Sequence, residues 1–383
     1  MINTLQPQSQ LADPYSLYEE CLLHNPVYWD NANKIWAVYA YEPCLKILSD
    51  ENAHIPSVKH FSVDATIDSI SANLVRLSNP PQHQALKTVA FYLFDKLKNV
   101  SIPDLLFSGI EKARGLHSVD WAVVSRKLFP TLIVKGFDFP NEDEVFLVEN
   151  ISSLVKLMGA INDERSFENT SAIINRAYEM VNCHFAERLL TKQEIKHLAS
   201  MTKLDEREML TILVSNFIGL LIQSYDAGRG LLVNGLRQLL QYKHKAQEIA
   251  IDENLCRKIV IETLRFEPSV HNTRRIAVAD ILIGETTIKK GETILLVLAA
   301  ANRDVLKFPQ PNVFDINRPD NEHLTFGAGG HACLAKHYCI DIAAKVFSLL
   351  VARYPSLKLL QTKLQYEPLI NVRIPESLFI KLQ

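Results

Sequence analysis

FGAGGHACLAKHYC, Phe326 to Cys339, gathers three glycines, two histidines and two cysteines into one short stretch. Gly327, Gly329 and Gly330 free the backbone to turn its N–H groups toward Cys333, and helical spacing resumes just beyond it. Amide dipoles and a helix N-terminus both favour a thiolate, which suits Cys333 to be a nucleophile or a metal ligand. Three readings follow. Cys333 is a small core hydrophobe beside a glycine turn; or it joins His331, His337 and Cys339 in a zinc set; or its thiolate ligates haem iron and pushes electron density toward O–O cleavage. Helical geometry weighs against zinc, because on a helix starting at 334, positions 337 and 339 point ~200° apart.

Outward from this loop the chain changes texture several times. Leu334 to Tyr354 has helical spacing, whereas residues 304–332 are rich in Pro, Asn, Asp and Gly and predict irregular chain. Ala279 to Leu298 carries Gly284 and Gly291 between β-rich segments, as short strands with tight turns do. From about 80 to 265 the apolar residues recur at three and four, and no proline occurs between Pro140 and Pro268, which predicts a helical array. Pro14 is placed to open a helix, Lys34 to Tyr41 reads as a strand, and strands are expected again around Leu369 to Val372. The fold class is therefore α+β, mainly α, with small sheets assembled from distant segments.

Composition excludes several roles. Against 43 acidic residues the 41 Lys and Arg leave a net charge of −2, so the basic excess that drives nucleic-acid binding is lacking. The longest uninterrupted apolar run, Ile294 to Ala301, is 8 residues, which argues against a membrane span, and MINTLQPQSQ reads as no signal peptide. A cytoplasmic protein is expected. Cys21, Cys44, Cys183, Cys256, Cys333 and Cys339 are too dispersed for a disulfide framework.

The spacing Phe326-Gly327-x-Gly329-x-His331-x-Cys333-x-Ala335 resembles the cysteine loop of cytochromes P450. Other segments match in the family's order. Glu262-Thr263-Leu264-Arg265 resembles its E-x-x-R helix, and Asn302-Arg303-Asp304 with Pro311 to Arg318 (PNVFDINR) resembles the segment that follows. The resemblance implies that Glu262, Arg265 and Arg318 form a buried structural charge cluster. Pro80 to Lys87, PPQHQALK, is similar to the segment that contacts haem propionates, with His83 and Lys87 one turn apart and lysine in place of arginine. Arg275 and His331 are the remaining implied propionate contacts. Alone, His83 reads as a surface helix histidine.

Phe217 to Asn234, FIGLLIQSYDAGRGLLVN, resembles the family's long central helix but departs from it. Anchoring on Gly230-Leu231-Leu232-x-Asn234 puts Gln223 and Ser224 at the usual Ala-Gly, Asp226 at the acid and Ala227 at the alcohol. A methyl group neither donates a proton nor orients a water. Proton delivery then falls to a substrate hydroxyl or ordered water, which is the reading preferred here. The alternatives are peroxide as oxidant, coupling or desaturation chemistry, or an Ala227 that only relieves crowding. Arg229 is unusual in a helix interior and either pairs with a substrate carboxylate or points to protein or solvent.

The resemblance implies one cytochrome P450 domain over residues 1–383, a helical array with small β-sheets around a buried haem b held by Cys333. It implies an oxidoreductase, a monooxygenase acting on a small-molecule substrate, with electrons from a ferredoxin or flavodoxin-type partner; Lys87 and Lys336 are candidate contacts for it. The pocket is expected from the loop at 58–77, Gln223, Ser224, Val270, Asn272 and Asn371, whose polar groups suit a substrate with hydroxyl or amide groups, as in natural-product tailoring. The competing class is a haem-binding protein without monooxygenase activity.

Overall fold

The computed structural model describes residues 3–58, 62–115, 117–159, 164–245, 251–361 and 363–382. Its contacts divide the chain into two compact units interleaved in sequence: Met1–His54, Ser101–Leu128 and Asp226–Gln383 in the first, Ile55–Val100 and Phe129–Tyr225 in the second.

The first unit holds all the described strands: β1 (Val27–Asp30), β2 (Ile35–Val38), β3 (Ala53–His54), β4 (Val119–Asp120), β5 (Thr273–Ala277), β6 (Ile281–Ile283), β7 (Thr286–Ile288), β8 (Thr293–Leu296), β9 (Lys358–Leu359) and β10 (Phe379–Lys381). Its main sheet runs β1-β2-β8-β5-β3. The hairpin β1–β2 joins β8 in parallel, with Ile35 opposite Thr293 and Val38 opposite Leu296. β8 is buried along Ile294, Leu295 and Leu296, the continuous apolar run of a strand covered on both faces. β5 pairs antiparallel with β8, placing Arg275 opposite Ile294. A second sheet, β4-β10-β9, and the hairpin β6–β7 complete the β-structure; Gly284 supplies the positive φ at the β6–β7 turn.

The helix Glu253–Phe266 and the helix Lys336–Arg353 pack together in the same unit. Asp252 caps the former by accepting from Leu255 N–H. The second unit is helical, and its core includes an aromatic cluster in which Phe217 lies 5.0 Å from Phe137 and 5.2 Å from Phe139, with His184 stacked on Phe139 at 4.0 Å.

One helix, Met209–Lys245, begins in the second unit and ends in the first. Its stretch Met209–Lys243 is long and apolar enough to cross a membrane by length and composition, and 61% of its most apolar window is buried inside the protein.

Three expectations are corrected. The helix after the cysteine loop starts at Lys336, with Ala335 as N-cap, because the Gly329–His331 turn and the bond from Cys333 N–H to Phe326 C=O hold the preceding chain out of helical geometry. Around Leu369–Val372 there is a single bridge, Val372 to Val270, and no strand; Pro368 and Pro375 flank the segment and each removes a ladder donor. The expected loop at 58–77 contains a helix, Ala65–Asn73, nucleated by Asp64 accepting from Thr66 and Ile67 N–H; residues 59–61 lie outside the described residues.

Candidate functional site

The cysteine loop is built against the helix Tyr41–Ser49. Gly329 stands at φ +64°, and a Cβ there would come within 2.7 Å of Leu48 O and 2.9 Å of Ser49 Cα. Only glycine lets the loop lie this close. Gly327, at φ +68°, makes the preceding turn. Cys333 emerges from this loop exposed, in contrast to the buried Cys21, Cys44 and Cys256, which removes the core-thiol reading.

The zinc reading also falls away. Among the described residues no three His, Cys, Asp or Glu side chains gather as a metal-holding group. Burial, with Cys333 nearby, pushes the Cys339 thiol well above its ordinary range.

In the same unit, Arg275 is 3% exposed and spends one guanidinium nitrogen on Arg274 C=O (2.8 Å) and Thr273 Oγ1 (3.2 Å). His331 is half-buried in its short turn, and Lys336 is exposed at the head of its helix. An accessible thiol on a glycine-shaped loop, together with a buried guanidinium and an imidazole, has the donor chemistry of a haem site: sulfur for iron, cations for propionates. In the second unit, His83 opens the helix His83–Lys96, buried, with Nδ1 2.9 Å from Ser78 Oγ, and Lys87 is half-buried one turn on.

A buried ion cluster fastens the irregular chain that precedes the loop. Arg265 grips Glu262 with Nε (2.9 Å) and a second nitrogen (2.7 Å), both side chains fully buried. The remaining donors of Arg265 go to the carbonyls of Asn302, Pro311 and Val313. Arg318 Nε lies 3.6 Å from Glu262 Oε1, which also accepts from Asp315 N–H at 3.0 Å. One carboxylate and two guanidinium groups thereby tie the irregular chain at 302–318 to one helix.

The central helix is almost wholly buried from Ile212 to Leu240 except near its middle, where Gln223 is exposed and Ser224 to Ala227 are half-buried. Gln223, Ser224, Asp226 and Ala227, all expected at the site, are among these less buried positions. The polar groups predicted for a pocket are largely engaged: Gln223 Nε2 bonds back to Gly219 C=O (3.1 Å) and Ser224 Oγ to Leu221 C=O (2.8 Å). Asn272 is 7% exposed, and its amide donates to Ile370 C=O at 2.9 Å. Asn371 is exposed, its carbonyl accepting from His271 N–H, and Val270 is half-buried. This amide nitrogen holds the chain at 370–372 against 270–272.

Asp226 is paired with Arg229, three residues on along the same helix. Its Oδ1 accepts from Arg229 Nε (3.0 Å) and from a second nitrogen of the same guanidinium (2.7 Å). Arg229 in turn makes a two-pronged contact with Glu367, and Arg126 lies 3.5 Å from Glu367 Oε1. Burial opposes the charge on Arg229, but Glu367 and Asp226 outweigh it and raise its proton affinity. Of the two expectations for Arg229, the structure shows the one in which it points to protein, toward Asp226 and Glu367. Ser269 Oγ donates to Ala227 C=O at 3.1 Å, and Gly230 gives Ser269 room, since a Cβ there would stand 2.3 Å from Ser269 Cβ. Glu367, Arg126 and Ser269 come from segments far from the helix in sequence. Of the three, Ser269 alone adjoins an expected pocket residue, Val270.

The cytochrome P450 family model matches residues 252–337, the span from the helix bearing Glu262 through the cysteine loop. The chain is 28% identical to the biotin biosynthesis cytochrome P450 of Bacillus subtilis (strain 168), over 96% of both chains. It is 25% identical to the mycinamicin VIII C21 methyl hydroxylase of Micromonospora griseorubida, over 87% of this chain and 86% of that protein. Among solved structures, P450BioI in complex with a hexadec-9Z-enoic acid ligated acyl carrier protein matches with a TM-score of 0.79 at 25% identity, covering 98% of this chain and 100% of that one. The structure of cytochrome P450 CREJ matches in fold with a TM-score of 0.81 at 23% identity, over 100% of this chain and 98% of that one.

Proposed function

We propose that the chain is a haem-thiolate monooxygenase of the cytochrome P450 family, the family to which its matches point, and that it oxidises a small organic molecule of a biosynthetic route through an atypical proton supply. Its cofactor is haem b, which when bound supplies the redox centre for oxygen activation. The observation that carries the reading is the exposed Cys333 on its glycine-shaped loop, in one unit with the buried Arg275. Cys333 is the proposed axial ligand; Arg275, His331, His83 and Lys87 are the proposed propionate contacts. Residues 1–383 are proposed to act as one catalytic domain.

With Ala227 at the position of the alcohol, Asp226 is the remaining acid of the central helix. Its Oδ1 is held by Arg229. We assign the missing hydroxyl to the substrate or to a water ordered by it, and electrons to a ferredoxin or flavodoxin-type donor. In a second reading, favoured by the likeness to P450BioI with its acylated carrier protein, the substrate is an acyl chain presented by such a carrier.

The reduced protein with carbon monoxide is expected to give the absorption band of a thiolate-ligated haem, and Cys333→Ser to lose it; a wild-type protein without that band refutes the assignment. Ala227→Thr is expected to change the ratio of product to reductant consumed. An unchanged ratio overturns the account of proton supply. A high-spin shift on titration with acyl carrier protein, absent with free metabolites, would select the second reading.

A further inference from the structure

The contacts around Asp226 form an alternating line of four charges. Asp226 on the central helix meets Arg229 one turn on; Arg229 meets Glu367; Glu367 meets Arg126 on the helix Trp121–Gly136. The middle of the line is buried, with the Arg229 side chain 6% exposed and Glu367 17%, and its outer end is open, with Arg126 at 39%. Each member alone has a bland explanation. Together they have a consequence: the two carboxylates share one guanidinium, so the position of either affects the hold on the other.

Glu367 is also built into the C-terminal segment. Its N–H donates to Ile374 C=O (3.0 Å), its C=O accepts from Leu369 N–H (2.8 Å), and Arg373 N–H donates to Ser269 C=O (2.8 Å). Ser269 in turn bonds the carbonyl of Ala227, and Gly230 lets Ser269 and Ile374 approach the helix closely. The turn of the central helix from Asp226 to Gly230 thus meets the segment 367–374 directly through the Arg229–Glu367 ion pair and the close approach of Gly230 to Ile374, and indirectly through Ser269, which bonds both Ala227 C=O and Arg373 N–H.

We propose that Arg229 is a positioning residue that links Asp226 to the C-terminal segment. It keeps Oδ1 of Asp226 turned to protein, leaves Oδ2 as the oxygen that exchanges protons with the site, and makes that orientation depend on where Glu367 lies. The proposal rests on the reading of Asp226 as the acid that handles protons. A ligand that displaces residues 369–372 then alters the hold on Asp226 without touching it. The groups bearing on the carboxylate are Arg229 on its own helix and, through Arg229, Glu367 and Arg126.

The test uses full-length holoprotein carrying Arg229→Gln, Arg229→Lys, Glu367→Gln or Asp226→Asn. The carbon monoxide spectrum and thermal melting establish that each variant is folded and loaded. Infrared spectra of ferric protein with isotope-labelled aspartate read the Asp226 carboxylate band without turnover, identified by its loss in Asp226→Asn. Turnover supplies kcat, KM, product per reductant and the solvent isotope effect. Arg229→Gln is expected to shift the band, lower kcat and coupling about tenfold with KM within about twofold, and raise the isotope effect. Arg229→Lys should recover part of each change, and Glu367→Gln should show a smaller shift in the same readouts. An unmoved carboxylate band and isotope effect in a folded Arg229→Lys and Glu367→Gln pair overturns the proposal, even if Arg229→Gln fails to fold. If the band shifts while Asp226→Asn retains full coupling, the positioning stands and the reading of Asp226 as the proton-handling acid fails.

Discussion

Arg265 and Arg229 are both buried guanidinium groups, yet their roles differ because of what each carboxylate partner is tied to. Arg265 sits beside Glu262 on one helix and closes its shell with backbone carbonyls of the 302–313 segment, so the pair fastens the irregular chain. Removing one partner leaves a fully buried charge. Arg265→Met is expected to cost about 3–5 kcal/mol in urea denaturation of the holoprotein, and Glu262→Gln with Arg265→Met to recover part of that. Equal stability of the single variant and wild type would refute the structural role. The Glu262–Arg265 pairing was implied by the family resemblance of the segment, with which its i,i+3 spacing agrees. The Arg229–Glu367 contact was not, because it joins residues 138 positions apart and any of several carboxylates would have served.

At the scale of elements, caps and turns explain most of the boundaries. The helix Lys192–Thr202 opens with a capping box: Thr191 accepts from Glu194 N–H, and the Glu194 carboxylate reaches back to Thr191. Lys96, with that backbone N–H and the Thr191 hydroxyl, holds the Glu194 carboxyl below its ordinary 4.5, at about 2. A carboxylate whose folded value is depressed stabilises the protein above the unfolded value and loses that contribution as pH falls through the folded one. Glu194→Gln is therefore expected to be less stable than wild type by about 1 kcal/mol at pH 7. The gap should close between pH 4.5 and about 2 in paired thermal melts, and a gap that persists at the acid end contradicts the assignment. Element existence was readable from spacing and glycine placement. The missing strands at 369–372 were not, because their apolar residues look β-like while their prolines and the Asn272 clamp limit pairing to one bridge.

On the scale of the whole molecule, the segment at residues 8–12 is held by Arg373, more than 350 positions away. Arg373 donates to the carbonyls of Gln8 (3.0 Å), Leu11 (3.0 Å) and Ala12 (3.2 Å) while its guanidinium lies 3.4 Å from the Tyr366 ring. Arg373→Met is expected to lower stability by about 3 kcal/mol and to speed proteolysis near residues 8–12; unchanged cleavage there would show that other contacts suffice. The sequence by itself determined the cysteine loop and the helical and β textures, because each is set by residues within a turn or two of one another, and the resemblance of its motifs implied the Glu262–Arg265 pair. Tertiary structure alone decided that β2 would run parallel to β8, that Glu367 would reach Arg229, and that Arg373 would hold the amino-terminal segment. Those partners lie more than a hundred residues apart, and charge or apolarity specifies that a group must be satisfied without specifying by which distant one.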